Sequence, residues 1–339
     1  VEELNEFFDT DLEENDFTVR KPVLSSQVFS RTGKMFKLRN ALIKRYARRS
    51  HEDYDLLVSG LNEADFGGKG LQYVHFPDSV NEQLFHETGE VSTDLTATAD
   101  SVVYQAYLET VERFFTQEKE GIEKNVTVCN SEFTRNVYEQ VFDNEAKVVN
   151  PPVSMEFEKR PGFEDRENGF VCVSKLSPPK EQKKVIRIID RVREEHEVHL
   201  HLVGSDPGTR YAEEVREMVD DRDYVRYEGE LPRKDLADII SSHRYGIHGF
   251  SGEHYGLAPA EMVKGGCVTF VPGRGGQKDI VDREELVYGG EDEAVRKISK
   301  VLEDTDLREN IREDLGSREF NTPEDFRQKI QEIVEEGLK

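Results

Sequence analysis

Residues 245–281 read YGIHGFSGEHYGLAPAEMVKGGCVTFVPGRGGQKDIV. An apolar run ends in a glycine-bearing loop that carries Glu253, a helix opens beyond Gly256 with Pro259 in its first turn, and CVTFVP starts another strand. Proline suits the first turn because no helical partner awaits its missing N–H. Strand, loop, helix and strand is the unit from which a parallel sheet covered by helices is built. The same rhythm continues upstream, where FVCVSKL, VHLHLVGS and YVRYEGE alternate with helical patterns near 180–195, 210–220 and 234–242.

Toward the N-terminus the rhythm loosens, with strands at YDLLVS, LQYVHF, VTVCNS and KVVNPPVS and helices near 102–117 and 131–142. Between Asn150 and Asn168 the text loses any period and is broken by Pro151, Pro152, Pro161 and Gly162, a domain boundary. The reading is therefore α/β, with one Rossmann-like domain over 1–155 and a second over 156–320. Residues 321–339, NTPEDFRQKIQEIVEEGLK, form a capped terminal helix expected to pack back on the first domain. A cleft between two such domains is where a ligand is expected.

The 339 residues carry 70 acids against 46 bases, a net charge of −24, and 34% are charged. About 25% is usual, and so negative a surface repels phosphate backbones, which argues against nucleic-acid binding. Carboxylates are spread along the whole chain, which suggests a halophilic protein in molar salt, where the Debye length is about 3 Å. Cys129, Cys172 and Cys267 each sit in an apolar run and read as small core residues of a reducing compartment. No run approaches the roughly 18 apolar residues of a membrane span and no signal peptide is evident, so a cytoplasmic protein is expected.

One segment breaks the acidity. Residues 31–51, RTGKMFKLRNALIKRYARRSH, hold Lys34, Lys37, Lys44, Arg45, Arg48 and Arg49 among their cations and no carboxylate. Met35, Leu38, Leu42 and Tyr46 fall near one stripe, so this is a basic amphipathic helix that either lies on an anionic membrane face or packs its stripe on its own domain.

The chemistry concentrates at the ends of the predicted strands. A helix N-terminus offers free N–H groups and a positive dipole to an anion, so the turn at Gly256 is a natural diphosphate seat. Glu253 in the loop is placed to reach a sugar, and Glu261, eight positions on, a ribose. Ser174 and Lys175 leave another strand, Lys180 follows, and two cations are thereby directed to the same sheet edge, where they would stabilise a departing diphosphate. Gly204 and Ser205 end the next strand, where the backbone can approach a ligand. His196, His199 and His201 read as strand and turn residues, and the Asp-x-Asp pairs at 9/11, 53/55, 221/223 and 304/306 as accidents of an acidic chain, so no metal is expected.

GEHYGLAPAEMVKGG resembles the donor half of the family 4 glycosyltransferases of the GT-B fold, whose frame is E-x-F-G-L-x-x-x-E-x-x-x-x-G. Ser174–Lys180 is similar to that family's R-L-S-x-x-K, with Lys175 in place of arginine, and Gly229, Leu231 and Leu236 to its G-x-L-x-x-x-x-L turn. EHYG, GGQKDIV, YVHFPDSV, CNSEFTRNVYEQ and VVNPPVS look like the members that elongate dolichol-linked oligosaccharides with mannose, and their archaeal relatives. The resemblance implies a GT-B fold whose two domains face a cleft, and a retaining, metal-independent hexosyl transfer from a GDP- or UDP-linked sugar. It implies a polyprenol-linked glycan acceptor at the inner face of the cell membrane. Ser174, Lys175, Lys180, Gly204, Ser205, His254, Tyr255, Gly256, Leu257 and Glu261 would bind the donor, while Glu253 and His75 would attend the transferred sugar and the acceptor hydroxyl. The resemblance starts after the family's first strand and Gly-Gly loop, so an incomplete N-terminal domain is expected. A soluble acceptor, or a non-catalytic sugar-nucleotide-binding subunit, remain the alternatives.

Overall fold

The computed structural model describes residues 36–78, 80, 111 and 117–337. In chain order these begin with α1 (Phe36–Arg49), β1 (Val58–Ser59), β2 (Leu71–Val74), α2 (Lys119–Ile122), β3 (Val126–Cys129), α3 (Glu132–Val141) and β4 (Ala146–Val148). The four strands pair in parallel in the order β1-β2-β3-β4. Ser131 starts α3 by accepting a bond from the Thr134 amide at 3.0 Å, as a helix-capping serine does. The helix expected near 102–117 falls almost entirely outside the described residues.

A second alternation follows: β5 (Glu167–Val173), α4 (Gln182–Val192), β6 (His199–Val203), α5 (Arg210–Asp220), β7 (Val225–Gly229), α6 (Arg233–Ser242), β8 (His243–Ile247), α7 (Leu257–Lys264), β9 (Val268–Pro272), α8 (Gln277–Val281) and β10 (Val287–Tyr288). Then come α9 (Glu291–Glu303), α10 (Thr305–Gly316) and α11 (Pro323–Gly337). All six strands are parallel, in the order β10-β9-β8-β5-β6-β7. Helices on both faces bury Phe170–Cys172 of β5, Tyr245–Ile247 of β8 and all of β9, which is why these stretches lack the polar alternation of a half-exposed strand. In α4, Val185, Ile186, Ile188, Ile189 and Val192 repeat at helical spacing, and each is fully buried in the larger core.

By contact the chain divides into two compact units, one drawn from residues 1–57, 64–70 and 98–124, the other holding both sheets. In the smaller unit, Asp65 is the tie. Its buried carboxylate receives Arg48 at 2.6 Å, the Gly67 amide at 2.8 Å and the Glu118 amide at 3.3 Å. Arg48, expected among the membrane-facing cations, has its part-exposed guanidinium drawn to Asp65 and to Glu118 at 3.3 Å. Arg45 and Arg49 lie exposed on α1 with Ile43 and Tyr46, and Lys44 is half-buried. Lys34 and the side chain of Lys37 lie outside the described residues.

In the larger unit, α11 packs against the first sheet. Phe326 meets Tyr73 edge-on at 5.5 Å, and Glu336 pairs with Lys147. The two segments between the sheets are tied together where the Asn321 side chain donates to the Asn150 carbonyl at 2.7 Å and the Val153 amide to the Asn321 carbonyl at 2.9 Å. The three cysteines are free and buried, and burial pushes the thiols of Cys129, Cys172 and Cys267 up to about 12.

Candidate active site

In the six-stranded sheet, β5 and β8 are neighbours, yet the chain steps from β5 to β6 and β7 on one side and from β8 to β9 and β10 on the other. Loops leaving the carboxyl ends of such strands diverge and open a crevice, the customary ligand site of an open parallel sheet. The loop after β5 carries Ser174, Lys175 and Lys180, and the loop after β8 carries His248 and Glu253. They meet at one carboxylate: Glu253 Oε2 lies 2.7 Å from Lys180 Nζ and 3.1 Å from His248 Nε2. Burial works to raise the Glu253 pKa, but the His248 hydrogen bond and the Lys180 charge prevail and hold it down at about 2. Glu253 is therefore a fixed negative charge paired with Lys180. Lys180 also lies over the Phe250 ring, 4.3 Å from its centroid.

Glycines determine this geometry. Gly275 has φ +113°, and a β-carbon there would come within 2.6 Å of the Glu253 carbonyl oxygen. The Gly276 amide donates to that same carbonyl at 2.7 Å, so the 273–276 loop grips the backbone that presents Glu253. Gln277, wholly buried, donates through Nε2 to the carbonyls of Phe250, Pro272 and Arg274 and ties the two loops together. Gly256, at φ +109°, precedes α7, and no side chain caps that helix, so its first amides are left for an anion.

Glu261 follows on α7, buried, with Arg233 from the start of α6 at 2.8 Å. Burial raises its pKa and Arg233 opposes the rise. Arg233 in turn lies 3.3 Å from the Ser154 hydroxyl. Ser174 and the Lys175 carbonyl are both held by Gln182 Nε2 at 2.7 Å, and the exposed Lys175 side chain leaves this anchored turn.

The remaining expected site residues have these surroundings. At Gly204, φ +149°, a β-carbon would come within 2.2 Å of the Ser174 carbonyl, and Ser205 contributes a backbone carbonyl to the Leu176 amide at 3.0 Å. Tyr255 is a core side chain, its phenol pushed by burial to about 12. The His254 ring is taken up in a parallel stack on Phe76, 4.2 Å between centroids, and its carbonyl accepts from Ser131 at 2.5 Å. Burial lowers the His254 pKa to about 4, so the stacked imidazole is neutral at neutral pH. Leu257 is exposed at the first turn of α7. His75 is exposed just past β2, with its Nε2 3.1 Å from the Gly60 carbonyl.

Sequence reasoning missed His248, Gln277 and Arg233. The first two are visible only as polar residues in otherwise apolar or glycine-rich text, a signal too common to act on; Arg233 is one arginine in a charged helix start.

Residues 154–315 match the family Glycosyl transferases group 1. The chain is 21% identical over 244 residues to a Dictyostelium discoideum protein named GDP-Man:Man(3)GlcNAc(2)-PP-Dol alpha-1,2-mannosyltransferase, covering 63% of this chain and 47% of that protein. It thus spans less than half the length of the curated relatives it matches. Among solved structures it is similar to Anabaena HepE in complex with UDP and glucose, at 16% identity with a TM-score of 0.60 over 90% of this chain and 83% of that one. It is also similar to sucrose-phosphate synthase from Thermosynechococcus elongatus, at 17% identity with a TM-score of 0.59 over 87% and 71%. These likenesses establish the fold as that of the GT-B glycosyltransferases, with parallel sheets under helices. The match of residues 154–315 to the group 1 glycosyltransferases, the curated relatives and the fold together support a glycosyltransferase.

Proposed function

We propose that this protein is a retaining hexosyltransferase that moves mannose from a nucleotide-sugar donor to a lipid-linked glycan at the cytoplasmic membrane face. The observation that carries the reading is the cluster of Lys180, Glu253 and His248 at the switch point of the six-stranded sheet, beside the uncapped N-terminus of α7. A donor diphosphate at those amides draws Lys180 from Glu253 to its own charge, and Glu253 turns to the hydroxyls of the sugar. Glu261 receives the ribose hydroxyls. The bond between sugar C1 and the diphosphate oxygen breaks, the acceptor oxygen bonds to C1, and the acceptor proton passes to the departing diphosphate. No metal and no protein nucleophile enters this scheme. Mannose and a dolichol-type acceptor are supported by the name of the Dictyostelium relative. Peripheral membrane contact is supported by the exposed Arg45, Ile43, Tyr46 and Arg49 of α1.

The test is transfer of labelled sugar into an organic-extractable product, with GDP-mannose, UDP-glucose and UDP-N-acetylglucosamine compared in molar KCl. GDP-mannose is expected to label the lipid fraction, and Glu253→Gln to cut the rate about 100-fold or more. Labelling from a UDP-sugar alone, or only in the aqueous phase, would replace the mannosyl or the lipid part of the proposal. Flotation with anionic vesicles reads the membrane part: Lys44→Glu, Arg45→Glu and Arg49→Glu together should leave the protein at the bottom of the gradient.

A further inference from the structure

At the opposite end of the six-stranded sheet, where the strands begin, three histidines and a glutamate converge: His199 and His201 from β6, His243 from β8, and Glu167 from β5. Each offers a ligand atom, and all four atoms lie within 4.8 Å of one another. β5 lies between β6 and β8, and the residue at the crossing is Gly169, paired in register with His199. A β-carbon on Gly169 would come within 2.2 Å of His199 Nε2, so the cluster occupies a space that only glycine leaves open.

The hydrogen bonding of these side chains is incomplete in an informative way. His243 is buried and points Nδ1 at the Ile239 carbonyl at 2.7 Å, which assigns the proton to Nδ1 and leaves Nε2 a bare lone pair. That lone pair faces His199 Nε2 at 3.2 Å, and His199 Nε2 lies 3.3 Å from a Glu167 oxygen. His201 is 5% exposed; Glu228 Oε1 stands 2.8 Å from its Nδ1, and its Nε2 has no hydrogen-bond partner among the described residues. A buried imidazole nitrogen with no partner is costly, and a metal ion is one of the few groups that satisfies it. Two atoms each about 2.05 Å from a tetrahedral zinc ion lie about 3.3 Å apart, the separation seen along the His243, His199 and Glu167 series. The carboxylate of Glu228 behind His201 and the carbonyl behind His243 are the partners that orient metal-binding imidazoles.

We propose that His199, His201, His243 and Glu167 bind one zinc ion, which clamps together the amino ends of β5, β6 and β8 on the side of the sheet away from the Glu253 crevice. The role is structural. Four protein ligands close the coordination shell and leave no open position for a substrate.

The full chain, stripped with a chelator and dialysed, is titrated with zinc against a competing chromophoric chelator and separately with cobalt. One ion per chain, the visible absorption of four-coordinate cobalt, and a higher unfolding temperature with zinc are expected. His199→Ala, at a part-exposed position, and Gly169→Ala, which fills the space, should each weaken zinc binding at least tenfold. If either disturbs the fold by circular dichroism, Glu167→Gln, exposed at the rim, reads the same loss. Absence of stoichiometric zinc overturns the proposal, leaving a His199–His243 hydrogen bond as the whole content of the cluster. So does unchanged affinity in His199→Ala combined with loss in His196→Ala, which moves the ion to the neighbouring group of Glu195, His196 and Glu303.

Discussion

Glu253 is the residue on which most of the chemistry turns, and its electrostatics make a testable claim. Its folded pKa, about 2, lies below the ordinary 4.5, so the stabilisation it contributes is full above pH 4.5 and disappears as pH falls toward 2. Urea midpoints measured from pH 7 to pH 2 should fall more steeply for the native protein than for Glu253→Gln. The substitution should cost about 1–3 kcal/mol at pH 7, because Lys180 and His248 lose a partly buried partner. Parallel curves for the two proteins would show that the carboxylate is not held as described. Glu261 makes a second claim. Because Arg233 holds one of its oxygens, both Glu261→Ala and Arg233→Ala should weaken donor binding, the former by about 1–3 kcal/mol. A double-mutant cycle read by calorimetry should show the two effects to be non-additive.

At the scale of elements, the site is a meeting of loops whose shape is determined by glycines with positive φ. Gly275→Ala meets both a left-handed backbone and the Glu253 main chain, so it should destabilise the protein by about 1–3 kcal/mol and displace Glu253. Transfer activity is then expected to drop further than thermal stability does, measured on samples that remain folded at the assay temperature. Gly208, also at positive φ but with nothing within 4 Å of its missing β-carbon, is the control, and Gly208→Ala should leave transfer unchanged. The comparison separates backbone strain, common to both, from the push on Glu253.

For the whole molecule the decisive quantity is the charge of −24. Many of the surface acids are already paired, as Glu291 is with Arg187 and Glu284 with Lys297, and such exposed pairs contribute so little that their screening by salt costs little stability. The unpaired excess repels itself at long range, and screening relieves it. The unfolding temperature should therefore climb as KCl is raised from tens of millimolar to molar. A flat or falling profile would remove the halophilic reading. Among the described residues no helix is long and apolar enough to cross a membrane.

The six-stranded sheet was legible because parallel strands buried on both faces must be written as short apolar runs such as FVCV and CVTFV, with amphipathic helices between them. The bounds of α5 and the start of α7 coincide with the sequence reading for the same reason, a sharp change of period at a capping residue or glycine. Glu253, Glu261 and Lys180 could be nominated because their spacing about Gly256 and Pro178 is local. That Lys180 and His248 close on one oxygen of Glu253 is not local: 73 residues separate Lys180 from Glu253, and only the pairing of β5 with β8 brings them together. The same pairing sets His243 beside His199 across Gly169, where the sequence offers only two histidines on one strand and a third far along the chain. Periodicity reports which face of an element is buried, and so the sequence alone determined the elements and their class. Which strands become neighbours depends on the energy of the assembled sheet, and the tertiary structure alone decided which charges meet.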